Sequence, residues 1–483
     1  MKPDKYQIKA IKTKAKNLLI LAGAGSGKTY TIVEKIKQLI KDGIKEEQIL
    51  CISFTKESAL SLQKKIKKQN IEIKVKTFHS LGYKIINKYK EVNIVKNNIL
   101  GNIIEKELKE ENHLKEITKV HFITIGKEDK IIKKIQNNII LSSKHKDKLK
   151  NIIQTFINLY KGNNMNKKDY ETFKKTNENN NIFNEKQSHK YFLNLTEKIL
   201  KKYERYLRKN NEIDYNDMIN LALKIVKKKK NIFSYKYIII DEYQDISFNK
   251  LNLIKEIQKQ TGSNLIVVGD DFQSIYSFTG SNIDVIINFK KHFKKTKIKK
   301  LKYTYRNSKE LLKITQKFIC QNPYQIKKNL KSRKTNKYPI IIYYYKNDIK
   351  EVWDKVEKII GENQTLILGR NNKDKYKLPK LKENMKYLTI HKSKGLESEN
   401  TIIINLEDRY DSIPSKIEDN EYLKYVKSEK DKFKYSEERR LFYVALTRCK
   451  KNNILLVKKN NPSIFVKEIL KNNKKNIKII DNI

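Results

Sequence analysis

The stretch Ala22-Gly23-Ala24-Gly25-Ser26-Gly27-Lys28-Thr29 alternates glycine with small residues and ends on a lysine and a hydroxyl. A glycine-rich turn lets backbone N–H groups close around an anion, and a helix starting there adds partial positive charge. In such a loop the lysine, Lys28, reaches the β- and γ-phosphates of a nucleotide and Thr29 holds Mg²⁺. The generic pattern asks for glycine first, where this chain has Ala22. A second constellation is Asp241-Glu242-Tyr243-Gln244-Asp245. Its adjacent carboxylates suit two different roles. Asp241 can hold Mg²⁺, directly or through water, and Glu242 can orient and deprotonate an attacking water. Gln273, within Gly269-Asp270-Asp271-Phe272-Gln273-Ser274-Ile275-Tyr276, carries an amide able to sense a γ-phosphate.

Arginine supplies an independent pointer. Of 106 basic residues only nine are Arg, and Arg306, Arg370, Arg439, Arg440 and Arg448 fall in the last third or so of the chain. A chain that otherwise uses lysine keeps arginine where a planar, bidentate donor is needed. Arginines brought from a second domain can stabilise charge developing on a phosphoryl group held by the first.

These residues need elements to carry them. Residues 1–90 alternate short apolar runs (Leu18–Leu21, Ile49–Phe54, Val75–Phe78) with helical patterns, the rhythm of a parallel α/β sheet. From 91 to 210 apolar residues recur at helical spacing among Lys, Glu and Asn, which predicts a helical insertion, with Asn177–Asn181 as a surface loop. The first rhythm returns over 211–278 with the strands Tyr237–Ile240 and Leu265–Val268. A second α/β domain is expected over 279–483, with strands at Ile340–Tyr345, Thr365–Leu368, Tyr387–Ile390, Thr401–Asn405 and Asn453–Val457. The fold class is therefore α/β, with two parallel-sheet domains and a helical insertion in the first. A carboxylate just after a buried parallel strand, as in Asp241, lies at the ligand-binding edge of such a sheet.

Composition sets the bounds. At 483 residues and 38% hydrophobic the chain has material for about three domains, and 14 Gly with 6 Pro argue against a linker-rich or turn-rich fold. The net charge of +52 fits a polyanionic partner, but Lys, Asn and Ile crowd the whole sequence as an AT-rich genome would produce, so location must decide. Three scattered cysteines, Cys51, Cys320 and Cys449, imply no zinc site, no disulfide framework and a reducing compartment. No apolar leader or run of membrane-spanning length is present, so an intracellular protein with no membrane partner is expected; cytoplasm, nucleus and a viral factory are not distinguished.

Taken together, Gly23–Thr29, Asp241–Asp245, Gly269–Tyr276 and Glu437-Glu438-Arg439-Arg440-Leu441-Phe442-Tyr443-Val444-Ala445-Leu446-Thr447-Arg448 resemble the UvrD/Rep group of superfamily 1 DNA helicases. Gln7, Phe54-Thr55, Thr77–Ser80, Leu301–Arg306 and Thr389–Glu397 extend the resemblance, in order, from residue 7 to about 457. The resemblance implies two RecA-like domains with ATP and Mg²⁺ between them. It implies that Gln7 reads the adenine and Tyr305 stacks on it, that Ala22–Thr29 cradles the phosphates, and that Gln273, Arg306 and Arg448 contact the γ-phosphate and Glu397 the ribose. Single-stranded DNA would cross both domains along Phe54, His79, Tyr276, Phe278 and His391, and aromatic rings suit that path because stacking tolerates any base. Single-stranded DNA and its junctions with duplex are the expected partners; protein partners are not specified.

The chain also departs from the family. Phe278-Thr279-Gly280 stands where an aromatic, an arginine and a glycine are usual, and Thr304 stands where Asn usually precedes Tyr305-Arg306. Only residues 372–386 separate Leu366–Asn371 from Thr389-Ile390-His391, too few for the accessory domain that large bacterial members carry there. The expected activity is an ATP-driven 3′→5′ DNA helicase, in repair or replication. Its rivals are a translocase that strips proteins or needs a partner to unwind, a nucleotide-gated DNA-binding protein without turnover, and an RNA motor.

Overall fold

The computed structural model describes residues 2–109, 143–178, 183–417, 420–427 and 433–481. The first lobe opens with β1 (Asn17–Leu21), β2 (Ile49–Ser53) and β3 (Val75–Thr77). Two short strands, β4 (Asn93–Ile94) and β5 (Glu212–Ile213), pair in parallel and frame the insertion. The chain then returns to the first lobe through β6 (Tyr237–Ile240), β7 (Asn264–Gly269) and β8 (Thr296–Lys300). The sheet order is β3-β2-β6-β7-β1-β8, every pair parallel. Strands of a parallel sheet are covered on both faces, and β1 and β2 are accordingly buried at every position.

The second lobe repeats the plan with β9 (Ile340–Tyr345), β10 (Thr365–Gly369), β11 (Met385–Thr389), β12 (Ser398–Ile403), β13 (Cys449–Lys458) and β14 (Ile477–Ile480). Its order is β11-β10-β12-β13-β9-β14, again all parallel. The molecule is an α/β protein of two parallel-sheet lobes. The expected boundary at 278/279 is corrected: residues 279–300 belong to the first lobe, because β8 pairs with β1 and Val285, Ile286, Phe289 and Phe293 enter the first core. Leu301 also packs into a first-lobe cluster with Leu18 and Ile20. The sequence Thr296-Lys297-Ile298-Lys299-Lys300 hides this strand, since an edge position needs little apolar content.

The insertion is helical, as its spacing predicts: Ile99–Glu107, Ser143–Gly162, Lys167–Glu178 and Phe183–Lys209. Asn177 and Glu178 end a helix instead of forming a loop, and Asn177 is buried with its amide donating to the Lys186 carbonyl at 2.8 Å; residues 179–181 lie outside the described residues. Lys161 ties the insertion to the first lobe, 2.5 Å from Asp214 and 2.7 Å from Asp217, the residues of the capping box that starts the helix Tyr215–Lys228. Between β10 and β11 the chain makes only a short 3₁₀ stretch, Asn372–Lys377, so no domain stands there.

A second tie comes from the other lobe. Residues 420–427, downstream of β12, insert Tyr422, Leu423 and Val426 into the core of the insertion. The Tyr422 ring stacks on Phe192 at 4.2 Å between centroids, and its hydroxyl lies 2.6 Å from Ser188 Oγ. Buried His189 sits 3.2 Å from Glu421 and 3.0 Å from the Tyr425 hydroxyl.

Candidate nucleotide and nucleic-acid site

The phosphate loop leaves the carboxyl end of β1 and opens the helix Lys28–Lys41. Gly25 and Gly27 have φ of +69° and +78°, a region costly for any residue with a Cβ. A Cβ on Gly25 would also meet Arg306 Cβ at 2.5 Å and Thr304 Oγ1 at 2.7 Å. Ala22 is not among the positive-φ residues, so the methyl in place of the usual glycine is tolerated; its N–H donates to Gly269 O at 3.0 Å. Thr304 makes its own use of the position where Asn is usual: its hydroxyl donates to Ala24 O at 2.8 Å. The Tyr305 N–H donates to Gly25 O at 2.9 Å.

Loops after β1, β6 and β7 reach one sheet edge, which brings Lys28, Asp241, Glu242 and Gln273 together. Lys28 Nζ lies 2.8 Å from each carboxylate oxygen of Glu242. Burial pushes the Glu242 carboxyl up, but the Lys28 and Lys394 ammonium groups outweigh it and hold it down at about 2. Asp241 is pushed up to about 7, by burial first and then by the Glu242 charge. Buried Asp241, partly buried Glu242 and buried Asp245 share Lys28 and Lys394, an excess of negative charge that suits a divalent cation. Among the described residues no group of three His, Cys, Asp or Glu could hold a metal by itself. A bound Mg²⁺ would therefore rest on Asp241, Thr29 and the nucleotide's own oxygens. Glu242 has φ of +51°, a strained backbone that tertiary contacts must hold. Gln244 helps: its amide nitrogen donates to Glu242 Oε2 at 2.6 Å, and its oxygen accepts from the Asp270 N–H at 2.9 Å.

The second lobe faces this edge with Arg448, two residues beyond the helix Ser436–Leu446. Arg448 is 1% exposed, and its guanidinium donates to Val444 O, Leu396 O, Thr447 Oγ1 and, at 3.1 Å, Gln273 Oε1. All are neutral oxygens, and among the described residues no carboxylate is within ion-pair distance of it. Burial and then the neighbouring Arg306 disfavour its charge, pulling its pKa down to about 9. A buried guanidinium without a counter-anion is costly unless a ligand brings one. Arg306 lies beside it, paired with Glu397 at 2.9 Å and donating to Thr447 O. Arg370 and Arg439, like Arg306 and unlike Arg448, each pair with a carboxylate, Glu438 at 2.9 Å and Glu468 at 2.5 Å. Arg440 reaches across to Ser274 O at 2.6 Å.

At the far end of the loop, Gln7 is buried, its Nε2 donating to Ser26 O at 3.3 Å and its Oε1 accepting from the Asp4 N–H at 3.0 Å. The Tyr305 hydroxyl donates to Asp4 Oδ2 at 2.7 Å, so Gln7 and Tyr305 border the same corner beside Gly27.

The expected strand path is partly assembled. Phe54 stacks on Tyr276 at 5.8 Å, Tyr276 meets Phe278 at 6.0 Å, and Phe278 meets His391 at 5.6 Å, so four rings from both lobes form one row. His79 stands apart, edge-on to Tyr215 at 5.2 Å. Lys250 links the two groups: its Nζ lies over Phe54 at 4.8 Å, and its charge, after burial, holds His79 down at about 4. His391 is likewise held at about 4 by burial, Arg370 and Lys394. Both imidazoles are neutral at physiological pH.

A family model described as the UvrD/REP helicase N-terminal domain matches residues 4–294. The chain belongs to the UvrD/REP helicase family. A second model, the viral superfamily 1 RNA helicase core domain, matches residues 198–457. The chain is 29% identical to DNA helicase IV of Escherichia coli over 96% of its own length and 69% of that protein's. It is 30% identical to the ATP-dependent DNA helicase Rep of Buchnera aphidicola from Acyrthosiphon pisum, covering 81% of this chain and 59% of Rep. It is 27% identical to the ATP-dependent DNA helicase PcrA of Staphylococcus aureus, covering 74% of this chain and 44% of PcrA.

In this UvrD/REP member some residues at the site went unassigned in sequence. Lys394 Nζ sits 2.5 Å from Asp245 Oδ2 and 2.5 Å from Gln273 O, and lies over the Tyr276 ring at 4.8 Å. It joins Asp245 and the Gln273 carbonyl to the aromatic row. In a chain with 106 basic residues, residue type alone could not single it out, nor Lys250.

Proposed function

We propose that this chain is an ATP-driven motor that moves 3′→5′ on single-stranded DNA and separates duplex. The observation that supports it most is Arg448, buried with no carboxylate within ion-pair distance among the described residues and hydrogen-bonded to Gln273 at the edge that holds Lys28 and Glu242. ATP entering the loop draws Lys28 from Glu242 to the β- and γ-phosphates. Glu242, released from that pair, accepts the proton of the water that attacks the γ-phosphorus. Arg448 and Arg306 balance the charge on the departing phosphoryl group, and ADP and phosphate leave. Bound Mg²⁺ would neutralise phosphate oxygens from Asp241 and Thr29. Gln7 and Tyr305 read the base, and Glu397 the ribose when Arg306 turns to phosphate. Lys394 passes the state of the cleft to Tyr276, so the lobes grip the strand alternately. Single strands and single/double-strand junctions are the proposed substrates, and repair or replication inside the cell the proposed setting.

Strand displacement on duplexes with a 3′ or a 5′ single-stranded tail, with ATP and Mg²⁺, tests this reading. Displacement from the 3′-tailed duplex alone is expected. The short link Asn372–Lys377 favours a second reading, a translocase that needs a partner to unwind. DNA-stimulated phosphate release with no displacement from either duplex would select it. Competition between matched DNA and RNA oligomers at one salt concentration separates a DNA motor from an RNA motor.

A further inference from the structure

Lys328 lies beyond the helix Lys309–Ile319 and outside the motifs that mark the cleft. Its ammonium is fully buried, 2.6 Å from Asp270 Oδ1 and 2.5 Å from Asp271 Oδ1, and 3.2 Å from the centroid of the Phe272 ring. Asp271 is held from the same stretch, its Oδ2 accepting from the Ile326 N–H at 2.9 Å. Asp270 also holds the sensor amide, its Oδ2 accepting from Gln273 Nε2 at 2.5 Å. A carboxylate only accepts, so it selects the nitrogen side of the amide; a guanidinium only donates, so Arg448 selects the oxygen side. The Gln273 amide is thus set between an anion that Lys328 holds and a cation from the other lobe. The stretch bears on the phosphate loop too, where Leu330 Cδ1 lies against the point a Cβ on Gly23 would occupy.

We propose that Lys328 is a positioning residue for Gln273: by clamping Asp270 it fixes the amide orientation that faces Arg448 and the γ-phosphate. This rests on the reading of Gln273 as the γ-phosphate sensor. A buried ion triad of purely structural value would be replaceable by neutral groups without loss of turnover. A positioning triad would not.

The test is single-strand-stimulated phosphate release (kcat and KM for ATP) with the melting temperature, on four variants of the full chain. Gln273→Ala is the reference and is expected to lose kcat. Lys328→Met with Asp271→Asn removes one charge of each sign; it is expected to keep KM within about threefold and to lose kcat at least about tenfold. Asp270→Asn is expected to lose kcat similarly, and Asp271→Asn to stay near the unaltered protein. If Gln273→Ala fails while the double variant and Asp270→Asn turn over normally, the Lys328 role is overturned alone. Normal turnover in Gln273→Ala overturns the sensor reading and the Lys328 role with it. Should the double variant not fold, the two Asp variants decide: equal kcat in both reduces the triad to structural support and overturns the proposal.

Discussion

The nucleotide cleft and the aromatic row lie between the same two lobes but are built on opposite principles. In the cleft the polar side chains are held by directional bonds from more than one side, such as Glu242 between Lys28 and Gln244, or Gln273 between Asp270 and Arg448. Along the row, rings touch at 5.6 to 6.0 Å with few directional bonds, and Phe278 is exposed. On the proposed function the difference has a reason: chemistry at a phosphorus tolerates little displacement, so a cleft for it fixes atoms, whereas a moving strand must be released as readily as held, so a path for it offers surfaces.

That contrast predicts separable losses. Lys28→Ala should abolish hydrolysis, by at least about a thousandfold in phosphate release, while single-strand affinity measured by anisotropy persists. Full turnover would disprove the proposed loop chemistry. Arg448→Ala should retain binding of a fluorescent nucleotide and lose on the order of a hundredfold or more in kcat. Lost nucleotide binding with normal residual chemistry would contradict its role. Tyr276→Ala should weaken single-strand binding by ~1–3 kcal/mol with ATP affinity retained. If it damaged nucleotide binding as well, cleft and row would be one unit.

A pH titration sharpens the comparison on the row. Burial lowers the Lys250 pKa to about 8, against the opposing pull of Asp245, so its ammonium is charged below that pH and neutral above it. Strand affinity should weaken by roughly two- to fivefold from pH 7 to 9, and Lys250→Met should flatten that dependence. His79 and His391, held near 4, should contribute no change between pH 6 and 8. The smallest effect is expected of Thr304→Ala, which removes one hydrogen bond to the loop and should lower stability by about 0.5–1.5 kcal/mol in a denaturant titration.

The same contrast explains what could be read from sequence. Lys28, Thr29, Asp241 and Glu242 follow apolar strands at fixed offsets, and few other chemistries need those types in that order. The other five strands of the first sheet were legible as apolar runs, whereas β8, with Lys at three of five positions, was not. Arg306 and Arg448 stood out because arginine is scarce, yet scarcity also flagged Arg370 and Arg439, which pair within their own lobe. Lys250, Lys328 and Lys394 were hidden for the opposite reason: a lysine buried against rings or carboxylates has the same letter as dozens on the surface. Spacing along the chain reports on local turns; it does not report which distant loop a flexible side chain will reach.

The Tyr422 contact changes how this molecule carries mechanical load. The insertion is rooted covalently in the first lobe through β4 and β5, and it is fastened to the second lobe by a ring stacked 8° from parallel on Phe192. First lobe, insertion and second lobe therefore form a closed hoop, with the nucleotide cleft as one joint and Tyr422 as another. In an open chain of rigid bodies one joint can turn alone. In a hoop the angle at one joint constrains the others, so opening the cleft either tilts the insertion or strains the seam at Tyr422.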